Sequence, residues 1–243
     1  MNLTVFANST LYTPMPDEDI TLGKGSTLDY LQEKYPFLIE GNWINGLTVM
    51  NVKNILQNYL KERHRKNWVI LNVGAVECYS HPAKNFIYWC CQYLNFYGLD
   101  SLFTAYVLPK MLLAAKDLNE QNNQYFQTLT AEQFGEIFAS VLPMLEGFSV
   151  IVIGLSKPNV ESKRIHSHWR IQAEEYKNVI ECFAKQYNNI TYIDCWNKYD
   201  QYVVDTTHLT PEGHFILFQE IQSVIEAERG KYEQRGRIYF NGK

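Results

Sequence analysis

Five short, apolar-rich runs punctuate the chain, and each opens into a polar or glycine-bearing turn. They are Leu3 to Phe6, Phe37 to Trp43, Trp68 to Asn72, Ser149 to Ile153 and Ile190 to Asp194. Continuous apolar runs of this length are what strands buried on both faces require. Between them the apolar positions change to helical spacing. Val49, Val52, Leu56, Tyr59 and Leu60 form one such stripe, a helix is predicted from about Trp169 to Gln186, and Leu217, Phe218, Ile221, Val224 and Ile225 form another stripe. Strands alternating with helices imply βαβ units, and therefore a parallel sheet covered on both sides.

The longest interval between strands, residues 79–148, needs more than one crossover helix. Asn85 to Leu94 and Leu108 to Leu118 have helical patterning, and Thr130-Ala131-Glu132-Gln133 matches a capping box opening a helix to about Leu145. Residues 79–128 are thus expected to be a helical insertion, either a lid over the site or packing against the sheet edge. Tyr12 to Ser26, with Pro14, Pro16, Gly23, Gly25 and the acidic run Asp17-Glu18-Asp19, is expected to be a loop. Residues 1–228 then read as a single domain. Residues 229–243, with five basic residues against one Glu, read as a basic tail or edge strand.

Composition adds limits. With 243 residues, 46% hydrophobic and 20% charged, the chain can bury a full core and is not disordered. A formal charge of −4 gives no global case for nucleic acid as a partner. The basic cluster Lys61 to Lys66 falls in the last turn of a predicted helix, where it complements the helix dipole. No apolar run is long enough to span a bilayer, and the start has no secretory pattern. Five cysteines without CxxC or CxxH spacing, two of them the adjacent Cys90 and Cys91, are expected to be reduced thiols in a cytoplasmic protein. The 17 Tyr, 13 Phe and 5 Trp suit a filled core, and also suit a protein that stacks sugar rings.

The candidate chemistry lies in the turns. Near the end of the chain Asp205-Thr206-Thr207-His208 precedes a helix that Thr210 can cap and Pro211 can open. A carboxylate beside an imidazole fixes its tautomer and stabilises its charged form, as general-base catalysis on a serine requires. Ser9 follows the first strand, at the edge where parallel sheets place their sites. Gly46 follows the second strand and Gly74-Ala75-Val76-Glu77 the third.

These residues resemble the four sequence blocks of the SGNH or GDSL hydrolases. Asp205 to His214 (Asp-x-x-His followed by Leu-Thr-Pro-Glu-Gly-His) is similar to the last block, and Ala7-Asn8-Ser9 stands where Gly-Asp-Ser is common. Gly46 matches the second block. In the third, usually Gly-x-Asn-Asp, Val76 takes the place of the Asn. The resemblance spans residues 3 to about 228 and implies a three-layer α/β/α flavodoxin-like fold with a five-stranded parallel sheet. It further implies Ser9 as nucleophile, His208 as general base and Asp205 as its orienting carboxylate. Backbone N–H groups of Ser9 and Gly46 would form part of the oxyanion hole. With Val76 unable to donate, His81, Lys84 or Asn72 is a candidate replacement, His81 first among them; ionised Glu77 can only accept. No G-x-S-x-G is present, against an α/β-hydrolase elbow.

The expected activity is that of a serine esterase or acyltransferase, with hydrolysis favoured over transfer. It would act on a small acyl ester, an O-acetyl group on a carbohydrate, with no cofactor and no metal. A non-catalytic binding or scaffold domain with a degraded oxyanion hole is the alternative. A metal site from Asp205, His208, His214, His166 and His168 has no recognised ligand spacing, and His214 is expected to pack and cap near the helix start.

Overall fold

In a computed structural model the chain is described at residues 3–12, 25–36, 39–43, 47–59, 68–78, 129–159, 167–204 and 208–240. At residues 9, 12, 39–43, 58, 59, 76, 167–170 and 229–240 the description is of the backbone. The predicted helices within 79–128 lie outside the described residues, as do Asp205, Gly46, His81, Lys84 and His166.

Each apolar run becomes a strand: β1 (Leu3–Ala7), β2 (Ile39–Trp43), β3 (Trp68–Asn72), β4 (Ser149–Ile153) and β5 (Ile190–Ile193). All pair in parallel, in the order β2-β1-β3-β4-β5, which is the flavodoxin-like doubly wound order. The alternation hidden inside the continuous runs now separates two cores. Phe6, Val69, Leu71, Val150 and Val152 face one side of the sheet. Leu3, Val5, Ala7, Trp68, Ile70, Ile151 and Ile153 face the other.

The first face is covered by α3 (Val49–Tyr59), α5 (Ala131–Val141) and α6 (Ser167–Ala184), the second by α2 (Thr27–Lys34) and α7 (Pro211–Phe240). Two four-residue helices, α1 (Ser9–Tyr12) and α4 (Ala75–Cys78), stand at the ends of β1 and β3. Thr130 caps α5 through the expected reciprocal bonds with Gln133. Pro143, which has no N–H to continue the ladder, coincides with a tightening to a 3-10 turn over Leu142–Leu145.

Two features depart from the sequence reading. α2, which the sequence reading did not predict, begins at Thr27, directly after the stretch Tyr12 to Ser26 expected to be loop. It is opened by a full capping box in which Ser26 accepts from the Asp29 N–H at 3.1 Å while Asp29 accepts from the Ser26 N–H at 2.9 Å. The basic segment from Arg229, expected to be a tail or edge strand, instead continues α7 as helix to Phe240. Its Lys, Arg, Glu and Gln residues are good helix formers, and the two glycines each weaken a helix by only about 1 kcal/mol.

Candidate active site

The order β2-β1-β3 puts the topological switch point between β1 and β3, whose carboxyl ends carry the first and third sequence blocks. Ala7 and Asn72 are paired across these ends. Ser9 begins α1 directly beyond, and Gly74 begins the turn into α4, where Val76 is the second residue.

Ser9 is held by the residues on either side of it. Asn8 is fully buried and caps α1, its Oδ1 accepting the Thr10 N–H at 3.0 Å. The Thr10 hydroxyl donates to the same oxygen at 2.6 Å and also bonds the side-chain amide of Asn72. One hydroxyl proton cannot serve two carbonyl oxygens. The network closes when Asn72 turns its amide nitrogen to donate to Thr10 Oγ1 while Thr10 donates to Asn8. The ends of β1 and β3 are thereby joined by a buried chain of side-chain bonds that includes Asn72. A recess beside this chain is bounded by Thr10, Asn72, Ala75, Ser156, Cys195 and Leu209, with enclosed room for about one water molecule. It therefore adjoins the neighbours in sequence of Ser9, Val76 and His208.

The third block is shaped by Gly74. Its φ of +101° is one that side chains rarely adopt, and a Cβ there would lie 3.0 Å from Ile180 Cδ1 and 3.4 Å from a Phe134 ring carbon. Glu77 points inward, fully buried, and its Oε1 accepts the N–H of Val49 at the start of α3. Burial pushes the Tyr176 hydroxyl up, with the nearby Cys78 and Glu77 adding to the shift.

The last block is built residue by residue around His208. Val203 and Leu209 form an antiparallel bridge; the Val204 N–H donates to the His208 carbonyl at 2.9 Å and the Thr210 N–H to that of Tyr202 at 2.8 Å. This clasp joins the residues on either side of 205–207 and leaves His208 half-buried. Thr210 Oγ1 accepts the Gly213 N–H at 3.2 Å, capping α7, and Pro211 is its first residue. Gly213 allows the first turn to press on Tyr202, since a Cβ there would be 2.6 Å from Tyr202 Cβ. His214 is fully buried, and its Nδ1 accepts the Thr27 N–H at 3.2 Å. His214 therefore caps the neighbouring helix α2, fastening the two helices of that face together. An acceptor Nδ1 puts the proton of the neutral ring on Nε2.

Further ties hold the segment leading into the clasp. Lys157 pairs with Asp200 at 3.0 Å, Asn159 Nδ2 donates to the Val203 carbonyl at 3.3 Å, and the Tyr199 hydroxyl donates to Glu220 at 2.8 Å. Cys195 beneath them is buried, which pushes its thiol well up and leaves it inert. These ties have no signature in spacing or periodicity. Only the Ser26-x-x-Asp29 box of α2 could have been read from the sequence.

Ser9, Gly74, Val76 and His208 thus come to one edge of the sheet. Among the described residues no group of three or more His, Cys, Asp or Glu is placed to hold a metal ion, and no helix is long and apolar enough to cross a membrane.

No family model matches the sequence, and no curated protein does. Solved structures do share its architecture. The lipase/acylhydrolase of Enterococcus faecalis superposes with a TM-score of 0.57 at 13% identity, over 94% of this chain and 97% of that one. The acetyl xylan esterase AlAXEase gives 0.55 at 13% identity, over 93% and 100%. A GDSL-like lipase of Bacteroides thetaiotaomicron gives 0.55 at 14%, over 93% and 88%. The chain has the SGNH/GDSL hydrolase fold.

Proposed function

We propose that this protein is a serine esterase that cleaves, or transfers, a small acyl group through an acyl-enzyme on Ser9. The observation that carries the reading is the clasp at 203–210, which holds His208 at the sheet edge to which β1 delivers Ser9. In this scheme His208 takes the Ser9 proton as the hydroxyl attacks the ester carbonyl. It then returns that proton to the leaving alcohol, and Asp205 steadies the imidazolium between the two steps. Water or a second alcohol resolves the acyl-enzyme. Backbone N–H groups of Ser9 and Gly46 receive the oxyanion. An O-acetyl group on a carbohydrate is the substrate favoured, supported by the aromatic content and by the acetyl xylan esterase among the proteins of this fold.

A specific observation supports a second reading, a non-catalytic domain. Val76 cannot donate to an oxyanion, and the two polar side chains beside it, Asn72 and Glu77, are bonded to Thr10 and Val49. A third donor would then come from His81, from Lys84 or from the second amide hydrogen of Asn72. A fluorophosphonate probe followed by mass spectrometry separates the readings: Ser9 labelling and Ser9-dependent hydrolysis of p-nitrophenyl acetate support the esterase. An unlabelled, inactive but folded protein refutes it.

A further inference from the structure

We infer that Glu77 is a positioning residue, whose buried carboxylate ties the turn after β3 to the start of α3 and so fixes Leu47 to Val49, the residues that follow Gly46 in sequence. The inference rests on the esterase reading for its consequence, since Gly46 would supply an oxyanion donor.

The start of α3 has a division of labour that points to this role. Thr48 caps the helix, and its hydroxyl accepts the Asn51 N–H at 3.2 Å. Asn51 Oδ1 accepts in return from the Thr48 N–H at 3.0 Å and the Thr48 hydroxyl at 2.7 Å. That reciprocal pair satisfies the cap and the third residue and leaves the first helical N–H, that of Val49, for another acceptor. Glu77 Oε1 is that acceptor, brought from 28 residues away. A carboxylate at a helix N-terminus meets the positive end of the dipole as well as the N–H. The tie is buried throughout: Leu47, Val49 and Glu77 are at most 2% exposed.

A purely structural position at this depth would be filled at lower cost by an apolar side chain, because a buried carboxylate is unfavourable unless it is bonded. The backbone around Glu77 is also fixed. Gly74 has its positive φ, and the Cys78 N–H donates to the Gly74 carbonyl at 2.9 Å, which orients α4 so that Glu77 projects inward. Val49 is thus an anchored point three residues beyond Gly46 in sequence, and a misplacement of about 1 Å in a catalytic group costs on the order of 10²-fold. The third block thus contributes to the oxyanion hole through its last residue, by orienting the second block, although Val76 cannot contribute directly.

The test uses the full chain with Glu77→Ala, Glu77→Gln and Glu77→Asp, read by p-nitrophenyl acetate kinetics and by amide hydrogen exchange. Glu77→Ala is expected to lower kcat by roughly 10–100-fold with KM within about twofold, and to speed exchange at Val49 by at least about tenfold while the core strands stay protected. Glu77→Gln, which keeps the carbonyl acceptor, is expected to recover most of both, and Glu77→Asp, one methylene short, to fall between. Unchanged exchange at Val49 in Glu77→Ala overturns the proposal, as does an equal kcat loss in the Ala and Gln variants. A wild type without Ser9-dependent turnover overturns the esterase reading instead, and exchange at Val49 alone then decides whether Glu77 holds the start of α3.

Discussion

Gly213→Ala sets two effects against each other, and the structure decides the sign. Gly213 is the third residue of α7, and helix propensity alone predicts a gain of up to about 1 kcal/mol for the substitution. The added methyl would stand 2.6 Å from Tyr202 Cβ and 3.3 Å from Leu209 Cβ. Both are Cβ atoms, rigidly attached to backbone, so no rotamer change relieves the contact. Overpacking of this kind costs about 1–3 kcal/mol. At 2.6 Å the contact belongs to the severe end of that range, so the clash exceeds the propensity gain, and a net loss of up to about 2 kcal/mol is expected from urea unfolding, seen as a lower midpoint with an unchanged slope. A domain with about 5–15 kcal/mol in hand remains more than about 99% folded after such a loss. Activity should nonetheless fall by roughly tenfold or more, because Tyr202 and Leu209 belong to the clasp that places His208 and a small displacement there is costly. A variant as stable as the wild type, with unchanged kcat, would refute both the packing argument and the role given to the clasp.

Other expectations follow from single contacts. Thr10→Val should cost about 1–3 kcal/mol in urea unfolding, since it takes the hydroxyl from the buried Asn72 amide and leaves Asn8 Oδ1 only the Thr10 N–H, whereas Thr10→Ser should cost about 1 kcal/mol or less; the reverse order would contradict the role given to the hydroxyl. Ser9→Ala and His208→Ala should each abolish Ser9-dependent hydrolysis, and the double variant should be no worse than either, as expected of groups that act as a unit. Val76→Asn should leave kcat unchanged or lower if His81 completes the oxyanion hole, and should raise it by up to about 10²–10³-fold if nothing does. Among the described cysteines an alkylating probe should modify exposed Cys182 before buried Cys78 and Cys195, as peptide mapping would show.

The parts legible in the sequence were those governed by short-range pattern. The limits of β3 and β4 could be read residue for residue, because a doubly buried strand admits no polar interruption. α5 announced itself through Thr130 and Gln133, and α7 through Thr210 and Pro211. α2 was obscured by the proline- and glycine-rich stretch before it, although its Ser26 and Asp29 carry the same signal. At the candidate site, the positions of Ser9 after a strand and of His208 before a helix could be read, because a strand end and a helix start mark them. The roles of Thr10, Glu77 and His214 could not, since each depends on a partner at least 28 residues away that only the folded sheet brings near. For His214 the expectation of packing and capping near the helix start was close in kind, but the helix it caps is α2.

The arrangement of α7 also bears on how the chain reaches this state during synthesis. A ribosome delivers all five strands before it delivers Leu217, Phe218, Ile221 and Ile225, which cover the second face of the sheet. Until then Val5, Ile70, Ile151, Ile153 and Ile193 have only α1, α2 and the residues Tyr199, Val203 and Leu209 to cover them, and α2 lacks the imidazole that later holds its first residue. The nascent chain must therefore wait with a sticky, half-shielded surface, a natural point for a chaperone to engage. The same emerging segment brings His208 with it, so closure of the hydrophobic face and arrival of the proposed base are a single event in the life of the polypeptide.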